Sequence, residues 1–371
     1  MAPAPRPTLV LSGFFGRGNC GDEALLQAQY ERFSGRYDIV ISVDERGACD
    51  GFWDRYPYDR CRIVHQANLS VLAEPAVIGI HVGGGGLPHG FNAAQVVHAR
   101  SLDKPAFLTG VDCHRPATAA AAAALGGYYG LFDFVSVRSA GAREAMAAIV
   151  SGCHHGADWA VGLPTAGPPP AQRRGSVALV LREFPLAWIS ADYVATVARL
   201  LDALSRSHDR AVLLPFCPED DRFLDHIQPA ARLPRERLWW EPGRMQTAIA
   251  AAELVVSLGR LHPLVFAANV GTPVAFVEPL AGDPRWPVSG KARQLCAEHG
   301  WPYYGDAGTF AAQLLRQPED LHPETLDRPA AFAPGTRDRW REMADQLEDR
   351  LAAAEKAVKK PFSSPRTGQA A

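Results

Sequence analysis

Residues Glu253 to Phe276 read Glu-Leu-Val-Val-Ser-Leu-Gly-Arg-Leu-His-Pro-Leu-Val-Phe-Ala-Ala-Asn-Val-Gly-Thr-Pro-Val-Ala-Phe, and this stretch decides the fold. The apolar run Leu254 to Val256 predicts a buried strand. It delivers Ser257, Gly259, Arg260 and His262 together at the point where a helix should begin. The small-residue segment Leu264 to Ala268 predicts that helix, closed by Asn269 and Gly271, and Pro273 to Val277 predicts the next parallel strand. Strand, short polar turn, helix, strand is the unit with which open α/β sheets hold ligands at the carboxyl ends of their strands. Arg260 and His262 therefore stand where an anion is held and a proton moved.

The same unit recurs outward in both directions. In the first half, strands are predicted at Thr8 to Ser12, Tyr37 to Val43, Ala76 to Val82, Pro105 to Gly110 and Phe132 to Val137. In the second, Val177 to Leu181 and Ala211 to Phe216 precede the opening stretch. The Pro-rich segment Leu163 to Arg174 separates the halves and reads as a semi-rigid linker. The expected class is α/β, with two Rossmann-like domains facing a cleft, at residues 1–165 and 175–325. A single long helix is expected over 336–360, with Trp340, Met343, Leu347, Leu351 and Val358 on one face. Its length suits packing across both domains, and the polar tail 361–371 is expected to be disordered.

Bulk properties exclude several classes. The chain has 371 residues, and its 38 basic and 40 acidic side chains leave a formal charge of −2, so no general attraction to nucleic acid is expected. Seven cysteines are scattered without a CxxC pair, which suits a reducing compartment rather than a disulfide framework. No apolar run is long enough to span a bilayer and no signal peptide is evident, so a cytoplasmic protein is expected. Membrane contact is expected to be peripheral at most, with Lys356, Lys359 and Lys360 as the local basic residues. Cys153-His154-His155-Gly156-Ala157-Asp158 looks like a metal cluster, but adjacent histidines do not easily face one ion and no second cluster sits at ligand spacing. No metal and no cofactor are expected, and no oligomeric state is signalled.

Two glycine-rich loops follow first-half strands. Gly13-Phe14-Phe15-Gly16-Arg17-Gly18-Asn19-Cys20-Gly21-Asp22-Glu23 runs into a helix predicted from Ala24 to Phe33, and reads as an anion cradle or a tight structural turn. Gly83-Gly84-Gly85-Gly86 is entropically costly, which close backbone approach to a ligand would justify. With Arg138, Arg182, Arg260 and Lys291 these loops describe a site for a multiply charged anion, since arginine binds carboxylate and phosphate in a bidentate way. His262 is the group able to give or take a proton near neutral pH. No nucleophile elbow or triad is present. Aromatic residues at Trp53 to Tyr58 and Leu238-Trp239-Trp240 serve either packing or stacking on sugar rings.

The glycine loop from Gly13 to Glu23, the cluster Gly83 to Gly86, Ser136-Val137-Arg138, Ser257-Leu258-Gly259-Arg260-Leu261-His262, Gly271-Thr272-Pro273 and Lys291 together resemble the polysaccharide pyruvyl transferase family, in order over about residues 8 to 300. The resemblance implies a fold similar to the GT-B glycosyltransferases. It also implies transfer of the enolpyruvyl part of phosphoenolpyruvate, as donor substrate, to the hydroxyls of a sugar or lipid-linked oligosaccharide. In that scheme His262 and Arg260 are catalytic, and Arg138, Arg182, Lys291, Ser257, Gly16, Asn19, Asp22, Gly84 and Gly85 contact substrate. The chain departs from the family pattern at Ser139, often acidic, and at Gly110-Val111-Asp112-Cys113-His114. A GT-B glycosyltransferase, a sugar-nucleotide epimerase and a non-catalytic sugar-phosphate-binding relative are the alternative readings of the same architecture.

Overall fold

The computed structural model describes residues 6–44, 51–85, 90–113, 116, 118–164, 176–184, 191–207, 210–227, 233–279, 289–316 and 329–358. The proposed linker beyond Pro164 and the tail 361–371 lie outside them, as do Gly86 and His114.

The first sheet is formed by β1 (Thr8–Ser12), β2 (Asp38–Val43), β3 (Arg62–His65), β4 (Val77–Gly85), β5 (Ala106–Val111), β6 (Phe134–Val137) and β7 (His154–His155). All pairs are parallel, in the order β3-β2-β1-β4-β5-β6-β7. The second sheet contains β8 (Ser176–Leu181), β9 (Arg210–Leu213), β10 (Leu254–Leu258), β11 (Val274–Val277) and β12 (Tyr303–Tyr304) in the order β12-β11-β10-β8-β9, again parallel. The edge strands β3 and β7 are the ones without an apolar run: Arg62, His65, His154 and His155 are polar, and pairing with an inner neighbour makes them strands. Each sheet has one point where chain order reverses, between β1 and β4 in the first and between β8 and β10 in the second. Such switch points leave a crevice at the strand ends.

The helices are α1 (Cys20–Phe33), α2 (Gly90–Ser101), α3 (Ala119–Tyr129), α4 (Ala140–Ala147), α5 (Ala191–Ser207), α6 (Pro218–Ile227), α7 (Pro242–Ala250), α8 (His262–Val270), α9 (Ser289–His299), α10 (Ala307–Arg316) and α11 (Thr336–Val358). Helix α1 starts four residues before the predicted Ala24, because Asn19 caps it and Asp22 and Glu23 occupy its first turn. Helix α8 carries Pro263 in its first turn and ends on left-handed Gly271, φ 77°.

One hydrophobic core runs without interruption from the first sheet into the second. Phe33 and Trp159 belong to it, and so do Phe216, Met245, Ile249 and Phe266. Backbone and side-chain bonds cross the same seam: Cys20 N donates to Phe216 O at 2.7 Å, and Asn269 Nδ2 donates to Ala160 O at 2.8 Å. Helix α11 buries Met343, Ala344, Leu347 and Leu351. Arg32 pairs with its Asp345 and Glu348, and Arg36 with its Glu355, which holds it against α1. Near its start Arg339 reaches Glu298 of α9 at 2.9 Å, so the helix touches elements on both sides of the seam. Val358, on the predicted apolar face, is exposed among the described residues.

Truncating Leu347, which is fully buried, removes packing that a cavity does not replace. Leu347→Ala should lower stability by about 2–5 kcal/mol, whereas Val358→Ala should stay within about 0.5 kcal/mol, both read from urea unfolding midpoints.

Candidate functional site

The two switch points face one another, and the polar side chains there fall into bonded and unbonded sets. The glycine loop after β1 belongs to the first. Gly16 and Gly18 adopt φ of 80° and 65°, which turns their N–H groups inward. Those groups donate to Oε1 of Glu23 at 3.1 and 3.2 Å. Tyr58 Oη donates to Glu23 Oε2 at 2.5 Å and accepts from Gly16 N at 2.6 Å. The cradle predicted for a ligand is thus filled by the protein's own carboxyl group. Gly16, expected to contact substrate, has its donor committed to Glu23 and Tyr58. Burial raises the Glu23 pKa from its ordinary 4.5 to about 8, against the opposing hydrogen bonds from Tyr58, Gly18 and Gly16.

Other expected contacts also have structural tasks. Asn19 caps α1, its side chain accepting from Gly21 N at 3.3 Å. Ser257 donates to the Arg260 carbonyl at 2.6 Å and closes the turn after β10. Gly84, at φ 80°, lies under α1: a Cβ there would stand 2.4 Å from Leu25 Cδ1. Gly85, at φ 81°, lies beside Asp22, whose Oδ1 is 3.2 Å from the position a Cβ would take. Phe52 and Tyr58 are buried and Phe52 stacks on Trp240, so these aromatics pack the seam. Trp239 and Trp240 close on Gly18, leaving Trp53 and Tyr56 exposed.

The two arginines expected to clamp the donor are tied internally. Arg138 is buried, with Nη1 on Asp158 Oδ2 at 2.7 Å and Nη2 and Nε on Asp112 Oδ2 at 2.9 and 3.3 Å. Arg260 forks onto Asp220, Nε to Oδ2 at 2.9 Å and Nη2 to Oδ1 at 2.5 Å, and also meets Cys217 Sγ at 2.8 Å. Burial works against both charges, but these carboxylates raise both pKa values. Asp220 also accepts the Glu183 and Phe216 N–H groups. Asp112 and Asp220 carried no signal as site residues in the sequence, and Asp158 was legible only as part of the apparent metal cluster. Ser139, where the chain departs from the expected pattern, caps α4 through Ala142 N at 3.1 Å.

His262, Asp22 and Lys291 are the unbonded set. The His262 imidazole lies on α1, so close to Gly21 that a Cβ there would stand 2.0 Å from Nδ1. Its Nε2 is buried and makes no hydrogen bond, with Asp158 Oδ2 at 3.5 Å. Burial opposes ionisation of Asp158, yet His262 and then Arg138 hold it well below the ordinary carboxylate range. Lys291, in the first turn of α9, is pushed down by burial and by the nearby charges of Arg138 and Arg182, with Asp112 and Asp22 opposing. Arg182, just beyond β8, is lowered to about 10 by burial and by Arg260. Among the described residues no group of His, Cys, Asp or Glu is arranged to hold a metal ion, and no helix is long and apolar enough to cross a membrane.

Two parallel Rossmann-like sheets with facing switch points define a protein of the GT-B fold. A UDP-GlcNAc 2-epimerase of Neisseria meningitidis bound to UDP-GlcNAc superposes with a TM-score of 0.60 at 9% identity, covering 92% of this chain and 100% of that one. A putative UDP-N-acetylglucosamine 2-epimerase from Listeria monocytogenes gives 0.59 at 12%, over 96% and 99%. A UDP-glucosyltransferase from Polygonum tinctorium gives 0.52 at 14%, also over 96% and 99%. At such identities the likeness is one of fold. No curated protein matches the sequence. The model of the polysaccharide pyruvyl transferase family matches residues 19–279, and the chain belongs to that family of transferases.

Two outcomes follow from this packing. Alanine at position 21 suits a helix better than glycine by about 1 kcal/mol, but its Cβ would displace the imidazole. Gly21→Ala should keep the fold by circular dichroism and move the NMR resonances of the His262 ring. For Glu23, the folded state prefers the protonated form, so stability is lost as pH rises from about 4.5 to about 8. Glu23→Gln should flatten that slope in melting temperatures measured between pH 5 and 8.

Proposed function

We propose that the protein moves the enolpyruvyl part of phosphoenolpyruvate onto two hydroxyls of a sugar or lipid-linked glycan acceptor as a ketal, releasing phosphate. Family membership supports this reading. The observation that carries it is the Lys291 ammonium, which makes no hydrogen bond to any described residue and whose charged form is opposed by burial and by the charges of Arg138 and Arg182. A phosphate and a carboxylate on one small molecule supply charged acceptors for that ammonium. His262 is the proton carrier, with its imidazole plane fixed by Gly21 and its Nε2 turned toward Asp158. Arg138 and Arg260, committed to aspartates, shape the site and set its field instead of forking onto the donor. The reaction draws on no cofactor beyond phosphoenolpyruvate itself.

Thermal-shift measurements separate this reading from its alternatives. Phosphoenolpyruvate at 100 times its dissociation constant should stabilise the protein by about 2.7 kcal/mol, and Lys291→Met should remove most of that gain. Stabilisation by UDP- or GDP-sugars alone would point to a nucleotide-sugar enzyme instead. With a sugar acceptor present, His262→Ala should bind phosphoenolpyruvate yet release phosphate about 10²- to 10⁴-fold more slowly; full turnover in that variant would refute the role.

A further inference from the structure

We propose that Asp22 is the acid that protonates the methylene carbon, C3, of phosphoenolpyruvate, while His262 acts as the base; this assignment rests on the pyruvyl-transfer reading above. Asp22 is 7% exposed, and neither of its carboxylate oxygens makes a hydrogen bond to any described residue. Its neighbour Glu23 accepts three hydrogen bonds. The other buried aspartates of the site, Asp112, Asp158 and Asp220, are each bonded to an arginine. An acid kept only to balance charge would be paired in the same way. Asp22 instead lies beside the glycine-rich end of β4, where a Cβ on Gly85 would stand 3.2 Å from its Oδ1, so only a glycine backbone flanks the carboxyl on that side. Burial also raises its pKa, outweighing His262, Arg260 and Arg138, which favours the form that carries a proton. His262 turns Nε2 toward Asp158 Oδ2 at 3.5 Å, which leaves the other ring nitrogen to act as the base.

The proton and charge balance closes on these two residues. The Asp22 proton goes to C3, the double-bond pair forming the new C–H bond, and C2 becomes electrophilic. The first acceptor hydroxyl bonds to C2, and its proton passes to His262 Nδ1, the ring nitrogen not turned toward Asp158. The bond from C2 to the phosphate oxygen then breaks, with phosphate keeping the pair and taking the proton from His262. The second hydroxyl closes the ketal at C2, and its proton returns to Asp22.

Phosphate release from phosphoenolpyruvate, measured with a panel of sugar acceptors, tests the assignment. In an acceptor that supports wild-type turnover, Asp22→Asn should be slower by about 10²- to 10⁴-fold, with its thermal stabilisation by phosphoenolpyruvate kept. Asp22→Ala should lose the same activity and regain part of it on addition of formate, a small carboxylic acid that fits the vacated space. Asp22→Asn turnover within tenfold of wild type, or an Asp22→Ala defect that formate leaves unchanged, overturns the acid role while leaving pyruvyl transfer standing. A wild-type protein that releases no phosphate with any acceptor overturns the transfer reading, and this assignment with it.

Discussion

The carboxylate of Asp158 is the constraint on which the site depends. It accepts Arg138 at 2.7 Å on one side and faces His262 Nε2 at 3.5 Å on the other. Arg138 follows a strand of the first sheet, whereas His262 opens a helix leaving the second. A buried guanidinium without partners would cost several kcal/mol, and a buried carboxylate as much. Asp112, Arg138 and Asp158 all follow strands of the first sheet, so in the line Asp112, Arg138, Asp158, His262 only the last contact crosses the seam. The core that continues across the seam, which includes Phe216, Phe266 and Trp159, supplies the apolar burial that keeps the two halves together.

This arrangement divides the charged residues by task. Arg138, Arg260 and Glu23 are bonded within the protein, the arginines to aspartates and Glu23 to Tyr58 and the glycine loop. Asp22, His262 and Lys291 make no side-chain hydrogen bond to any described residue; the imidazole packs on Gly21 and turns Nε2 toward Asp158 at 3.5 Å. Burial and the nearby arginine charges act against the Lys291 ammonium, and burial raises the pKa of the Asp22 carboxyl.

Most of the fold was legible because the inner strands of a doubly covered parallel sheet are plain apolar runs. Val177 to Leu181 and Leu254 to Val256 are examples. The edge strands at Arg62 and His154 were not, since their pairing is decided by a neighbour far away in the chain. In the site, the positions of Arg260, His262 and Lys291 at strand ends and a helix start were legible from the alternation of strand and turn. The partners that decide their roles were not. Asp220 lies 40 residues from Arg260, and Asp158 lies about a hundred from His262, so no local pattern links them.

By itself the sequence determined the two α/β halves, the strand-end placement of the polar residues and the family to which their order belongs. Local periodicity and glycine placement are sufficient for that. The tertiary structure alone decided which of those residues are free to act. A glycine loop is an anion cradle until the carboxyl that fills it is seen to be Glu23. An arginine is a clamp until its fork is seen on Asp220. Hydrogen-bonding capacity is finite, and only folding shows where it has been used.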